Sequence, residues 1–166
     1  MDVESDFTAY VAAQWPRLVR SAVLLGCTRA EAEDVVQSAL ERCLLRWRRV
    51  TAAHDRDAYV HRVLINTFTS SRRRRWTGER PTADLPEDAL ADETSAVDDA
   101  DALVRALDRL GRDQRTAVVL RYYAHLNEDQ MATVLGVAPG TVKSRLARAL
   151  STLAADPSLG DLRGAP

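Results

Sequence analysis

Apolar residues along this chain recur every three or four positions, in stretches punctuated by glycine, proline and capping residues, and strand-like alternation is nearly absent. The spacing predicts an all-α protein. Asp6 can cap a first helix with Phe7, Tyr10 and Val11 on one side. Trp15-Pro16 predicts a kink or restart, because the residue before a proline avoids the α region. Leu18, Val19, Ala22, Val23 and Leu25 carry the apolar face on to Gly26. Thr28 and Glu31 form a capping box that opens a second helix, extending to about Arg49. Its inward side is Ala32, Val35, Val36, Ala39, Leu40, Cys43, Leu44 and Trp47. Asp55 or Asp57 can cap a third, buried along Tyr59, Val60, Val63, Leu64 and Phe68.

The helical pattern resumes at Leu103, Ala106, Leu107 and Leu110, and Gly111 breaks it. Asp113 can cap the next helix, with Ala117, Val118 and Leu120 buried and Arg121 at its close. Residues 127–150 then read as two short helices with a tight turn between them. Asn127 and Gln130 make a capping box, Gly136 supplies a left-handed C-terminal residue, and Pro139 opens the second helix. That helix has one buried stripe, Val142, Leu146, Ala149, Leu150 and Leu153. Its opposite face carries Lys143, Ser144, Ala147 and Arg148 and no acid. This is the layout of a DNA-binding helix-turn-helix, whose second helix enters the major groove by its N-terminal part. Two amphipathic helices around a glycine also occur in any all-α domain, and on this stretch alone both readings stand.

Charge changes the picture. The net charge of −1 conceals three blocks. Residues 1–76 carry thirteen arginines against nine acids, residues 77–102 one arginine against nine acids, and residues 103–166 nine basic groups against six acids. Two basic helical blocks therefore flank an acidic connector, a distribution that suits a nucleic-acid partner. The expected organisation is a helical domain over 1–76, a flexible acidic linker over 77–100, a second helical domain over 101–155, and a fraying tail over 156–166.

Two further surfaces stand out. Asp34, Gln37 and Glu41 line up at i, i+3 and i+7 on the outside of the second helix, either a solvated stripe or a docking surface. Arg72 to Arg75 end the third helix beside Trp76, with Arg62 and Asn66 earlier on it. Four arginines exceed what a helix dipole needs and suit a phosphate backbone, and the aromatic ring offers a stacking plane for an unpaired base.

Enzyme chemistry finds no foothold. There is no P-loop, nucleophile elbow, HExxH or paired-cysteine metal signature, and His54, His61 and His125 lack ligand spacing with Cys27 and Cys43. No cofactor, metal or small-molecule substrate is expected. Both cysteines are expected to pack as reduced, small apolar residues. Without a signal peptide or an apolar run near the ~20 residues of a membrane helix, a cytoplasmic protein is expected.

Four stretches in order resemble one family. AEDVVQSALERCLLRWRRV, AYVHRVLINTFTSSRRRRW, DRLGRDQRTAVVLRYY and the helix-turn-helix are similar to the extracytoplasmic-function (ECF) group of bacterial sigma factors, and within it the short two-domain actinobacterial sigma-E family. The likeness covers about residues 5–155. It implies a non-enzymatic protein that binds core RNA polymerase, brings it to promoter DNA and opens the duplex. By match, Asp34, Gln37 and Glu41 would face the polymerase clamp. Asn66 would sit in the loop that takes a flipped non-template base, and Arg62 and Arg72, Arg73 and Arg74 would hold the −10 strand. Arg121, Thr141, Lys143, Ser144, Arg145, Ala147 and Arg148 would contact the −35 duplex, Arg145 through phosphate. An anti-sigma protein is a further implied partner. The chain departs from the family at Leu110-Gly111, where Leu-Pro is common, and at Ala147, where relatives can carry a larger side chain. It has no long middle domain. A stand-alone helix-turn-helix regulator would need a dimer interface, and an all-α adaptor would leave the basic face unexplained.

Overall fold

The computed structural model describes residues 2–77 and 94–159. All their regular structure is helical: α1 (Val3–Leu24), α2 (Arg29–Leu44), α3 (Trp47–Thr51), α4 (Arg56–Trp76), α5 (Thr94–Asp108), α6 (Arg112–Val118), a π-helical turn (Val119–Tyr123), α7 (Glu128–Leu135), α8 (Pro139–Ala154) and a closing 3-10 turn (Pro157–Leu159). The acidic stretch 78–93 and the tail 160–166 lie outside the described residues. α5 begins at Thr94, within the span read as linker.

In the first half, α1, α2 and α4 pack together, with α3 wedged against all three. α1 starts earlier than expected: Asp2 is its N-cap, and Asp6 lies inside the helix. There Asp6 accepts from Trp47 Nε1 at 2.8 Å and from Arg56 at 3.4 Å. Pro16 sits inside α1 without ending it. A proline within a helix costs ~3 kcal/mol. Here Tyr10 on one side of it and Leu18, Val19 and Ala22 on the other are all buried, and that packing carries the helix through.

α2 opens on the expected capping box, Thr28 with Glu31, and ends at Leu44, short of Arg49. Leu44, expected inside, is exposed, and Leu45 is 86% exposed. The break at Arg46 turns Trp47 inward, edge-on to Phe7 with centroids 5.0 Å apart and tilted against Tyr10 at 5.3 Å. The indole of Trp47, the first residue of α3, reaches Asp6 of α1 in this way. Asp55 caps α4, accepting from the Ala58 N–H at 2.9 Å. Both cysteines are free and buried, and burial pushes each thiol up to about 11.

The second half packs α6 and α7 on α8. Gly111 is the N-cap of α6, and Asp113, expected there, lies in the first turn, where its charge suits the helix N-terminus. Gly111 has φ −59°, within the proline range, so the turn keeps the geometry that Leu-Pro would give it. Arg121 does not close α6; the π-helical turn carries it and Tyr122-Tyr123 onward. His125, at φ 58°, then turns the chain into α7.

The halves touch. α4 packs on α7, α1 on the π-helical turn, and one continuous apolar cluster runs from Tyr10 to Ala149. No described helix is long and apolar enough to cross a membrane.

Candidate nucleic-acid interface

The helix-turn-helix forms as its sequence directs. Asn127 and Gln130 cap each other's backbone at 2.7 and 2.9 Å. Gly136 adopts φ 66°, a left-handed conformation that a side chain would strain, and Pro139 opens α8. Val142, Leu146 and Ala149 are buried against the other helices, whereas Leu150 is exposed. At 100° per residue Leu150 lies about 80° off the Val142 line, at the edge of the stripe.

Across α8 from that stripe, Thr141, Lys143, Ser144, Ala147 and Arg148 are all exposed. Arg148 makes no ion pair among the described residues. Lys143 lies 3.5 Å from Glu128, an exposed contact, and the Ser144 hydroxyl donates to the Gly140 carbonyl at 2.9 Å. Two candidates sit elsewhere. Arg145 flanks the buried stripe and pairs with Asp113 of α6 at 3.0 Å. Arg121 is exposed on the π-helical turn, donating to the Leu126 carbonyl at 3.1 Å.

On α4, Asn66 is a mid-helix residue, not a loop residue. The chain around it is a good helical segment with Val60, Leu64, Ile65 and Phe68 buried, so no loop can form there. Helical geometry places Arg62, Asn66, Thr69 and Arg73 in one line at i, i+4, i+7 and i+11. Arg62, Asn66 and Arg73 are exposed, and their side chains make no hydrogen bond or ion pair among the described residues.

The rest of the arginine run fans away from this line. Arg72 donates to the Gly26 carbonyl and lies over the Phe68 ring at 5.4 Å. Arg74 reaches back to the Ser70 carbonyl at 3.4 Å. Arg75 donates to Glu31 across the helix pair. Burial alone would raise the Glu31 carboxyl, but the bond from Arg75, the Thr28 N–H and the nearby guanidinium charges hold it below the usual carboxylate range. Trp76, 93% exposed, ends the helix.

On α2, Asp34, Gln37 and Glu41 are exposed along one face, with Gln37 Nε2 donating to Glu41 at 3.3 Å. Leu45, at i+11 from Asp34, continues the line; its register was readable, but its exposure depended on the break at Arg46. A shallow groove between α2 and α4, lined by Asp34, Ser38, Thr67, Ser71 and Arg74 among others, connects this face to the arginine run.

Sequence reasoning missed the seam between the halves. Arg115 of α6 is only 9% exposed. Its Nε donates to the Leu24 carbonyl at the end of α1 (2.6 Å), and Nη1 bonds Asp108 at 2.5 Å. Gln130 of α7 donates to the Asp55 carboxylate at the start of α4. Gly26 (φ 113°) lies beside both guanidinia: an added Cβ would stand 3.4 Å from Arg115 and from Arg72. Nothing in the spacing marks Arg115, which sits among basic and polar neighbours.

The geometry is that of an all-α DNA-binding protein with an outward recognition helix and a second, separate basic helix face. Residues 100–153 match the family described as sigma-70, region 4. The chain is 39% identical over 148 residues to an RNA polymerase sigma-E factor of Streptomyces coelicolor, covering 89% of this chain and 84% of that one. It is 39% identical over 144 residues to the ECF RNA polymerase sigma factor SigM of Mycobacterium tuberculosis, covering 83% and 70%. Among solved structures it resembles the sigma factor RpoE in complex with the anti-sigma factor NepR from Bartonella quintana (TM-score 0.70, 25% identity, 97% of this chain and 99% of that one). CnrH, solved with the cytosolic domain of CnrY, shares the fold (TM-score 0.65, 21% identity, 92% and 87%). The chain belongs to the ECF RNA polymerase sigma factors.

Proposed function

We propose that this sigma factor divides promoter recognition between two helix faces and docks on core polymerase through a third. α8 reads the −35 duplex through Thr141, Lys143, Ser144, Ala147 and Arg148, with Arg121 and Arg145 as flanking phosphate contacts. The α4 line of Arg62, Asn66 and Arg73 captures the −10 strand, and Arg72 and Arg74 serve once released from their carbonyls. Asp34, Gln37 and Glu41 on α2 take the polymerase clamp. The domains divide as 1–76 and 101–155, and the protein acts in the cytoplasm without catalysis of its own. The observation that carries this reading is that α8 and α4 each present an exposed, acid-free line of polar and basic side chains. The likeness to RpoE spans both halves, which supports an anti-sigma protein as a further partner.

Transcription with purified core polymerase tests it. The protein should direct initiation from a subset of genomic fragments; co-purification with core but no initiation from any fragment sinks the reading. Asp34→Ala or Gln37→Ala should weaken core binding with the fold intact, and a large loss of thermal stability would return both to a structural role.

A further inference from the structure

Two threonines that belong to neither DNA-facing line each follow a pair of arginines. The pattern of two arginines, one further residue and a threonine stands as Arg48-Arg49-Val50-Thr51 at the end of α3 and as Arg74-Arg75-Trp76-Thr77 at the end of α4. A hydroxyl placed just after such a pair suits an arginine-directed serine/threonine protein kinase, whose acidic cleft takes the guanidinia while the hydroxyl meets ATP. The two copies differ in whether they can leave the fold. A segment must come out of its helix to enter such a cleft, and helix ends that bury nothing open most readily. At the end of α3, Val50 is wholly buried and Trp47 is held by Asp6 at 2.8 Å, so drawing out Thr51 would expose core. At the end of α4 no residue from Ser70 to Thr77 is buried, and Trp76 is 93% exposed. The bonds from Arg74 to the Ser70 carbonyl and from Arg75 to Glu31 are exposed and yield easily to water.

We propose that Thr77 is a phosphorylation site whose modification shuts off strand capture by α4. The kinase moves the γ-phosphoryl group of ATP to Thr77 Oγ1. The new P–O bond forms there, the bond to the bridging β–γ oxygen breaks, ADP leaves, and the hydroxyl proton passes to the kinase's catalytic aspartate. Thr77 is the C-cap of α4, and its hydroxyl donates to the carbonyls of Arg73 at 3.1 Å and Arg74 at 3.3 Å. A phosphate there carries close to two negative charges and only accepts hydrogen bonds. The carbonyls repel it and the last turn loosens. Arg73 stands one helical turn before Thr77, and its guanidinium, which has no bond among the described residues, is drawn to the phosphate. It is then lost to the DNA backbone, and the new charge repels the strand. This consequence rests on the −10 reading given above; the modification itself does not.

Full-length protein incubated with ATP and an arginine-directed serine/threonine kinase should take up phosphate on Thr77 and not on Thr51, located by peptide fragmentation. Thr77→Val should take up none, and Arg74→Ala or Arg75→Ala should each slow the transfer about tenfold by removing a charged hydrogen bond to the kinase. Protein recovered from growing and from starved cells should carry phosphate on Thr77 in at least one of the two cultures. In holoenzyme reconstituted with core polymerase, phosphorylation should weaken binding of a single-stranded −10 oligonucleotide about five- to twenty-fivefold at ~0.1 M salt, as the loss of one or two phosphate contacts gives, and the difference should vanish toward about 1 M. Duplex binding through α8 should not change, and Thr77→Val should bind the strand as the native protein does. Phosphate on Thr51 or on neither threonine, or none on protein from either culture, overturns the site. Modification of Thr77 with unchanged strand binding overturns its control of capture. If the unmodified holoenzyme binds no strand at all, the −10 reading has failed while the modification still stands.

Discussion

α8 and α4 are both amphipathic helices with a basic outer side, yet they present their charges differently. On α8 the basic and hydroxyl groups are spaced through the sequence so that Thr141, Ser144 and Arg148 share one face, with Lys143 and Ala147 beside them. On α4 the charge is concentrated in four consecutive arginines, which successive steps of 100° spread around the helix. Arg73 alone joins Arg62 and Asn66; Arg72 is bound to Gly26, Arg74 to its own backbone and Arg75 to Glu31. A run contiguous in sequence is not a contiguous surface. An interspersed pattern gives one continuous outer face; a block leaves one residue facing outward and gives the other three structural partners in the free protein.

If that contrast is right, the largest single effect belongs to Arg148. Arg148→Ala should weaken −35 duplex binding by about 1–3 kcal/mol and relax preference at one position, with no loss of thermal stability. Binding to a panel of singly substituted duplexes checks this, and a uniform loss across the panel would make Arg148 a phosphate contact. On α4 the neighbouring arginines should part company. Arg73→Ala should impair promoter opening, read by permanganate reactivity, and leave the melting temperature alone. Arg72→Ala should cost ~1 kcal/mol of stability, since its bonds are exposed and screened, and lower the melting temperature by a few degrees. Equal behaviour of the two would erase the distinction between a facing and a tethered arginine.

Much of this was legible before the fold was known, because capping is local chemistry. Thr28 with Glu31, Asn127 with Gln130, and Gly136 each act within one helical turn, and all stand as expected. The spacing of α8 likewise placed Lys143, Ser144 and Arg148 outward. What escaped depends on partners distant in sequence. Pro16 continues α1 because buried neighbours hold it, Trp47 leaves α2 to reach Asp6, and Asp6 is thereby taken from capping. Asn66 lies in a helix where the family resemblance put a loop, although Val60, Leu64 and Phe68 already signalled a continuous buried side. Arg115 was invisible for the same reason: its partner carbonyl is ninety-one residues away.

A smaller effect separates the two helix faces further. Among the described residues, Lys143 is the one member of the α8 face in an ion pair, with Glu128 at 3.5 Å. Glu128→Gln should free it and raise duplex affinity by a few tenths of a kcal/mol, more at low salt than high. An effect independent of salt would mean that Glu128 shapes α7 and does not screen Lys143.

The smallest expected effect lies on the inner sides of the two helices. α8 buries only Val142, Leu146 and Ala149, none of which titrates. α4 buries His61, whose Nδ1–H donates to the Asp57 carbonyl at 2.8 Å. Burial holds its pKa below the ordinary value; the Asp57 backbone bond and the charges of Asp57 and Asp55 oppose that, and Arg17 adds to it. The unfolded chain therefore binds the extra proton first, at an ordinary histidine pKa near ~6.5. The stabilisation is complete above that value and is lost as pH falls through it toward the lower folded pKa. The melting temperature should decline between about pH 6.5 and 5 in the native protein and decline less in His61→Gln. An identical slope in both would place the acid sensitivity elsewhere. A flattened one would show that proton uptake acts through the inner face of α4, while α8 contributes nothing to it.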